Sequence, residues 1–251
     1  MGVLDGKKAV VSGGSRGIGR AIVERLARDG ADVVFAFAGN TQAAATVERS
    51  VAEQGQGSGS AHGLQADFGD AAAVEKFLEQ AVARLGALDI LVNNAASSIQ
   101  PAPLAETTDE VFGRVMAVNS TATFQTLRYA ARHMRDGGRV INISSLNTLL
   151  PGPEIAPYVA SKGAMEQLTR VAAIELGPRG ITVNTVSPGA TDTDLLRSAN
   201  PAEALEQIPA LTPLGRLGEP ADIADVVGML VGPDARWITG QNILATGGLL
   251  G

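Results

Sequence analysis

Tyr158-Val159-Ala160-Ser161-Lys162 places a phenol and an ammonium four residues apart, with Ser145 thirteen residues upstream. On a helix, positions i and i+4 share a face, so Lys162 can stand beside the Tyr158 ring and present its charge to the same ligand. An isolated tyrosine has a pKa of about 10 and is a poor acid–base group near neutrality. A neighbouring ammonium stabilises the phenolate and lowers that pKa, and a helix N-terminus acts in the same direction. Pro157 suits the first turn of a helix running on through Ala164-Met165-Glu166-Gln167-Leu168. A bare Y-x-x-x-K is more often a surface pair on an amphipathic helix, so its chemistry depends on what surrounds it.

The elements that must position this pair alternate between strand and helix. Short β-branched runs at Ala9–Val11, Asp32–Phe37, Asp89–Asn93, Arg139–Ile143 and Ile181–Val186 stand between longer amphipathic stretches, with a shorter run near Gly63–Ala66 and a last one at Ile243–Ala245. The first helical pattern covers Ile18 to Asp29 and stops at Gly30; the second covers about Thr41 to Gln54, followed by a flexible linker from Gly55 to Ser60. Strands alternating with helices predict βαβ units, hence a mainly parallel, doubly wound sheet covered on both faces. No repeat or composition break divides residues 1–251, which predicts a single α/β domain of Rossmann type. Ligands of such sheets bind beyond the carboxyl ends of the strands.

Ser12-Gly13-Gly14-Ser15-Arg16-Gly17-Ile18-Gly19 lies between the first strand and the first helix. Its glycines permit a tight turn, close approach of backbone to a phosphate and close packing of helix on strand, and the helix N-terminus supplies N–H donors. The spacing is G-x-x-x-G-x-G, and the strand–loop–helix context favours a dinucleotide. A site for NAD usually ends its second strand with an acid that accepts from the ribose 2′-OH. Here that region reads Phe37-Ala38-Gly39-Asn40-Thr41, with no acid. Arg16 could pair bidentately with a 2′-phosphate, and Asn40 and Thr41 offer neutral donors, so NADP(H) is the expected cofactor.

Composition excludes several other chemistries. The net charge of −6, with no basic run longer than Lys7-Lys8, argues against nucleic acid or an anionic membrane as the main partner. With no cysteine and only His62 and His133, disulfide and thiolate chemistry are ruled out and a histidine-rich metal site is not expected. No long apolar run reads as a signal peptide or membrane span, which makes a cytoplasmic protein the expectation.

In order along the chain, Gly13/Gly17/Gly19, Asp67, Asn93-Asn94-Ala95, Asn119, Ser145, Tyr158/Lys162, Pro188-Gly189 and Thr193 resemble the short-chain dehydrogenase/reductase family from about Lys7 to Gly248. The likeness is to ketoreductase-like members, including relatives of 3-oxoacyl-carrier-protein reductases. It implies a carbonyl reductase, reversible as an alcohol dehydrogenase, with Asn119, Ser145, Tyr158 and Lys162 as its catalytic set. Tyr158 would protonate the carbonyl oxygen as hydride arrives. Ser145 would hydrogen-bond the developing oxyanion; Ser144 competes, but the interval to Tyr158 matches Ser145. Lys162 would hold the nicotinamide ribose and depress the Tyr158 pKa, and Asn119 would position a water linking Lys162 to solvent.

The implied cofactor contacts begin in the first loop, with Ser15 and Ile18 joining Gly13, Arg16, Gly17 and Gly19. Ala38, Gly39, Asn40 and Thr41 would face the adenosine ribose. Asp67 with Phe68 would cap the adenine side, Asn93 would brace the loop, and Asn94 and Ala95 would pass beside the cofactor. Pro188, Gly189, Ala190, Thr191 and Thr193 would meet the nicotinamide and diphosphate, with Tyr158 and Lys162 at the ribose. Three departures stand out: Ala96 replaces a frequent glycine, Ser12 a frequent threonine, and Ala245-Thr246-Gly247-Gly248 lacks an acid before its paired glycines.

Residues 190–214, rich in Leu and Ala, are expected to form a substrate lid. The resemblance also implies a homotetramer, paired through the helices around 107–135 and 158–177 and through the C-terminal region with Trp237-Ile238 and Leu249-Leu250. Two rival functions remain: a carrier-protein-dependent 3-oxoacyl reductase, and a non-catalytic NADP(H)-sensing protein on the same fold. Nucleotide-sugar epimerisation would need a longer C-terminal substrate region.

Overall fold

The computed structural model describes residues 2–55, 59–97 and 100–249. Seven parallel strands form one sheet in the order β3-β2-β1-β4-β5-β6-β7. They are β1 (Lys8–Val11), β2 (Asp32–Phe37), β3 (Ala61–Gln65), β4 (Ile90–Asn93), β5 (Arg139–Ile143), β6 (Thr182–Pro188) and β7 (Asn242–Ala245). The order reverses between β1 and β4, so a crevice opens above their carboxyl ends. The central strands are buried on both faces, which is why β1 and β2 read as continuous apolar runs.

The helices follow the local signals. α1 (Gly17–Arg28) ends before Gly30, where φ is +107°. A Cβ at Gly30 would stand 2.2 Å from Asp5 Oδ1. α2 (Thr41–Ala52) starts at Asn40, whose side chain accepts from the Ala43 N–H. α3 (Ala71–Leu85) is capped by Asp70 and stops at the left-handed Gly86. The stretch expected as one long helix around 107–135 is divided: α4 (Asp109–Met116) and α5 (Ala122–His133) flank a π turn at Ala117–Thr121. Such turns widen a helix locally and recur at functional sites. α6 (Ala156–Leu176) carries Pro157 in its first turn, then α7 (Asp194–Ala199), α8 (Ala202–Leu211) and α9 (Pro220–Val231) complete the chain.

Each face of the sheet has its own core. On one, Ile22, Val23 and Leu26 of α1 pack with Ile223, Val227 and Leu230 of α9; on the other, Phe77 and Leu78 of α3 pack with Leu127 and Ala130 of α5. Fully burying a residue such as Leu26 contributes roughly 1.5–3 kcal/mol, which fixes the helices that end at the crevice. Of the expected linker 55–60, Gln56 to Ser58 lie outside the described residues. Its end is tied down: the Gly59 N–H donates to the Ala27 carbonyl and Ser60 Oγ to Asp32 Oδ1, at 2.8 and 2.7 Å. No helix among the described residues is long and apolar enough to cross a membrane.

Candidate active site

The first loop is shaped by backbone demands. Gly13 and Gly17 sit at φ +68° and +52°, in the left-handed region. A Cβ on Gly19 would stand 2.0 Å from the Gly13 carbonyl oxygen and 2.4 Å from Asn94 Nδ2, so only glycine lets α1 approach this turn. Ser12 supplies the loop's buried anchor: its Oγ accepts from the Asn94 and Ala95 N–H groups at 2.9 and 3.0 Å. The serine that replaces a frequent threonine thus joins the first loop to the end of β4 through its hydroxyl. Asn94 returns the contact, donating to the Ser12 and Gly13 carbonyls. α1 begins with no acid in its first turn and no side-chain cap on its N–H groups, an arrangement that suits a diphosphate. A narrow, donor-lined cradle that excludes a Cβ fits a dinucleotide.

Asn93 does not brace this loop. Its side chain is buried, donating to Asn142 Oδ1 and accepting from Thr126 Oγ1, both at 2.8 Å, because the strand pleat turns Asn93 into the sheet and leaves Asn94 facing the turn.

On the ribose side, Gly39 faces open space and Asn40 uses its oxygen to cap α2. Arg16 is exposed and has no ion pair among the described residues. Asp67 is held by Arg114 through two contacts of 3.1 and 2.8 Å and accepts from the Gly69 N–H; these hydrogen bonds, Arg114 first, lower its pKa. The Phe68 ring is buried edge-on against Phe77, with centroids 5.6 Å apart, leaving its backbone to face any ligand.

Ser145, Tyr158 and Lys162 converge on a cavity of about 620 Å³. Ile18, Asn94, Pro188, Gly189, Thr191 and Thr193 also line it, and Thr193 approaches the Gly17 backbone. Gly13, Ser15, Arg16, Ala38 to Thr41, Asp67, Phe68, Ala95 and Asn119 lie outside this lining. Ala38, with its carbonyl accepting from Gln65 Nε2, Gly39, Asn40 and Thr41 continue the crevice at the end of β2.

The two serines are sorted by their partners. Ser144 Oγ donates to Glu166 Oε1 at 2.7 Å, whereas Ser145 accepts from the Asn147 N–H and is the serine that acts on the Tyr158 hydroxyl, in the direction that lowers its pKa.

Lys162 is 1% exposed, its Nζ donating to the Ile143 carbonyl at 2.7 Å and standing 5.8 Å from the Tyr158 ring centroid. Burial lowers its pKa to about 8, against the opposing pull of Glu166. Burial also raises the Tyr158 pKa, with the Ser145 hydrogen bond acting the other way. The expected depression by Lys162 is thus not what the geometry gives. The ammonium is aimed at a carbonyl rather than the phenol oxygen, and loss of hydration outweighs the rest.

Asn119 is fully buried in the π turn. Its Oδ1 accepts from the Ser97 N–H and its Nδ2 donates to Ser161 Oγ, both at 2.9 Å, while Ser161 Oγ donates to the Tyr158 carbonyl at 2.7 Å. The turn therefore grips the first turn of α6.

Sequence reasoning missed Glu166 and the Leu146–Ile155 loop that walls the cavity. The available signals were a carboxylate four residues beyond Lys162 in an apolar stretch, and Leu149-Leu150-Pro151-Gly152-Pro153, an apolar loop after a strand. That loop carries Glu154 at φ +66°, its carbonyl accepting from the Ala102 N–H. Among the described residues no group of His, Cys, Asp or Glu could hold a metal ion.

Residues 13–250 match a family model described as enoyl-(acyl carrier protein) reductase. Versicolorin reductase of Emericella nidulans is 40% identical over 257 residues, covering 98% of this chain and 96% of its own length. A short-chain dehydrogenase/reductase from Serratia marcescens superposes with a TM-score of 0.91 at 43% identity, covering 98% of both chains. An angucycline C-6 ketoreductase solved with bound NADP also gives 0.91, at 44% identity over 99% of this chain and 97% of its own. Agreement over nearly the whole chain, in sequence and in backbone, makes this protein an oxidoreductase of the short-chain dehydrogenase/reductase family.

Proposed function

We propose that the chain is an NADP(H)-dependent ketoreductase, reducing a neutral, apolar ketone to a secondary alcohol and catalysing the reverse step. The observation that carries this reading is the meeting of Ser145, Tyr158 and Lys162 at one cavity beside the glycine cradle. NADP(H), when bound, supplies or accepts the hydride. Tyr158 holds the proton destined for the carbonyl oxygen, and a pKa above its ordinary value keeps the hydroxyl protonated across the neutral range. Ser145, fixed by Asn147, shares the oxyanion with it. Lys162, held by the Ile143 carbonyl, would offer its ammonium to the ribose. Asn119, hydrogen-bonded to Ser161 on α6, would hold a water linking Lys162 to solvent.

Arg16 and the acid-free end of β2 support the 2′-phosphate, with Arg16 as its ion-pair partner. Asp67, although engaged by Arg114, and the Phe68 backbone remain the proposed adenine-side contacts, with Ala95 beside the ribose. The substrate class follows from the wall. Leu146, Leu150, Ile155, Leu196, Ile208 and Leu211 line the same cavity as Tyr158, and Glu154 and Lys162 are the charged residues among the described lining. By name, one relative reduces versicolorin and another is a ketoreductase acting at C-6 of an angucycline, which supports a ketone as the substrate. Near the lid, Arg197 is paired with Asp192 and Arg216 with Asp222, at 2.7 and 2.6 Å, which does not favour an acidic carrier protein there. α7 and α8 serve as the lid over residues 190–214 of a single domain. Exposed Phe112, Phe124 and Ile174 on α4, α5 and α6, together with Trp237, support a homotetramer.

The test is a substrate panel followed through nicotinamide absorbance: cyclic and polycyclic ketones, 2-keto acids, and 3-oxoacyl and 2-enoyl thioesters, each with NADPH. Ring ketones should be reduced fastest. Preferred turnover of enoyl or carrier-bound thioesters would overturn the substrate reading. NADPH binding without turnover of any ketone would favour a sensor.

A further inference from the structure

We propose that Glu166 is a positioning residue of this site, clamping the Ser144–Thr148 turn to α6 and acting as the fixed counter-charge of Lys162. The inference rests on the catalytic assignment above. A buried carboxylate is unfavourable unless it is hydrogen-bonded and paired, and an apolar side chain at this point of the helix would avoid that cost. Glu166, 8% exposed, meets the first condition with two hydrogen bonds, and the nearest place for a counter-charge is Lys162, one turn away on α6. Ser144 Oγ and Thr148 Oγ1 each donate to its Oε1 at 2.7 Å. These two residues bracket Ser145, and the Thr148 hydroxyl also lies 3.0 Å from the Ser145 carbonyl. The Ser144 N–H is fixed to the Val186 carbonyl at 2.8 Å. The turn that presents Ser145 to Tyr158 is thus pinned to the same helix that carries Tyr158, and its placement relative to the phenol depends on the Glu166 side chain.

The charge has a separate effect. Lys162 lies one turn before Glu166 on α6, so the two share a face. Its other near partners, the Ile143 carbonyl and the neutral Tyr158, carry no net charge. On the elements packed against α6 the titratable or charged groups are Arg139 on β5, Asp109, Glu110 and Arg114 on α4, Arg128, Tyr129, Arg132 and His133 on α5, and Arg179 after α6. On α6 itself they are Tyr158, Arg170 and Glu175 besides this pair. Of all these groups, Glu166 alone exerts a resolved charge effect on Lys162, opposing the burial that lowers its pKa to about 8. The sign follows: without the carboxylate, the ammonium gives up its proton at a lower pH.

The chain has four lysines, Lys7, Lys8, Lys76 and Lys162, so a ¹³Cε-lysine NMR titration of the cofactor-free protein resolves each of them. Glu166→Gln keeps an oxygen for Ser144 and Thr148 but removes the charge, and should move the Lys162 midpoint down by at least about half a pH unit. The alkaline fall of kcat/KM for NADPH should move down with it. Glu166→Asp keeps the charge but shortens the reach. It should leave the Lys162 midpoint within a few tenths of wild type while kcat falls by about tenfold, as Ser145 loses its fixed place. A Lys162 midpoint unmoved in folded Glu166→Gln would overturn the counter-charge, and undiminished kcat in Glu166→Asp would overturn the clamp. A wild-type protein that reduces no ketone would instead defeat the catalytic reading, and the lysine titration would still decide the charge pairing.

Discussion

The half of the sheet under the glycine loop and the half under Tyr158 are built on opposite plans. In β1 and β2 the buried residues, from Ala9 to Val11 and from Val33 to Phe37, are apolar. In β4, β5 and β6 the chain buries Asn93, Asn142, Asn184, Thr185 and Ser187. Asn93, Asn142 and Thr185 are register partners across these three strands. Asn93 Nδ2 donates to Asn142 Oδ1 at 2.8 Å, Asn142 Nδ2 to Thr169 Oγ1 at 2.7 Å, and Thr185 Oγ1 approaches Thr169 Oγ1 at 2.9 Å. Thr126 joins from α5, so a polar rung across the sheet docks both neighbouring helices. A cradle that recognises phosphate through backbone N–H groups needs its side chains absent. A proton-transfer site needs its side chains fixed, and hydrogen bonds, being directional, fix orientation where apolar packing fixes mainly distance.

Breaking the acid–base half at its end point gives the largest expected effect. Tyr158→Phe keeps the ring and should leave NADPH binding nearly intact while reduction falls by at least ~10²-fold, as for a lost general acid. Lys162→Met should lose activity and weaken NADPH binding together. Stopped-flow reduction and fluorescence titration with NADPH separate the two variants. Retention of most of the ketone-reducing rate by Tyr158→Phe, with hydride transfer rate-limiting, would remove the proposed acid.

The polar rung comes next. Asn142→Leu leaves Asn93 and Thr169 without a buried partner and should cost about 1–3 kcal/mol, read as a lower urea midpoint at constant slope. If the variant proves as stable as wild type, the rung contributes no more than apolar packing, and the contrast between the halves is one of composition only.

The smallest effect is expected in the cradle half. Ala38→Asp places a carboxylate at the exposed position just past β2 and should shift the NADPH-to-NADH ratio of kcat/KM by about tenfold towards NADH, through repulsion of the 2′-phosphate. Arg16→Ala should act in the same direction. Equal use of both cofactors by wild type would refute the charge argument for NADP(H).

Much of this was legible in one chain. The strand–helix alternation gave the parallel sheet because buried strands and amphipathic helices have distinct periods. The element ends fell close to expectation where a cap or glycine marks them, as at Gly30. Neither the break of the 107–135 helix at Asn119 nor the wall-forming Leu146–Ile155 loop was foreseen. A π turn follows from hydrogen bonds to Ser97 and Ser161, residues distant in sequence, and periodicity does not register such contacts. The same limit explains Asn93 and Asn94: adjacent asparagines look alike in sequence, and only the pleat decides which meets the loop.

The sequence by itself determined the fold class, the glycine loop, the acid-free end of β2 and the Tyr158–Lys162 spacing, since each is local or periodic. Tertiary structure alone decided which asparagine braces the cradle and the direction of the Tyr158 and Lys162 pKa shifts. Those outcomes depend on burial and on partners far apart in the chain. Desolvation in particular belongs to a packed site, because a side chain loses its water only when the whole fold closes around it.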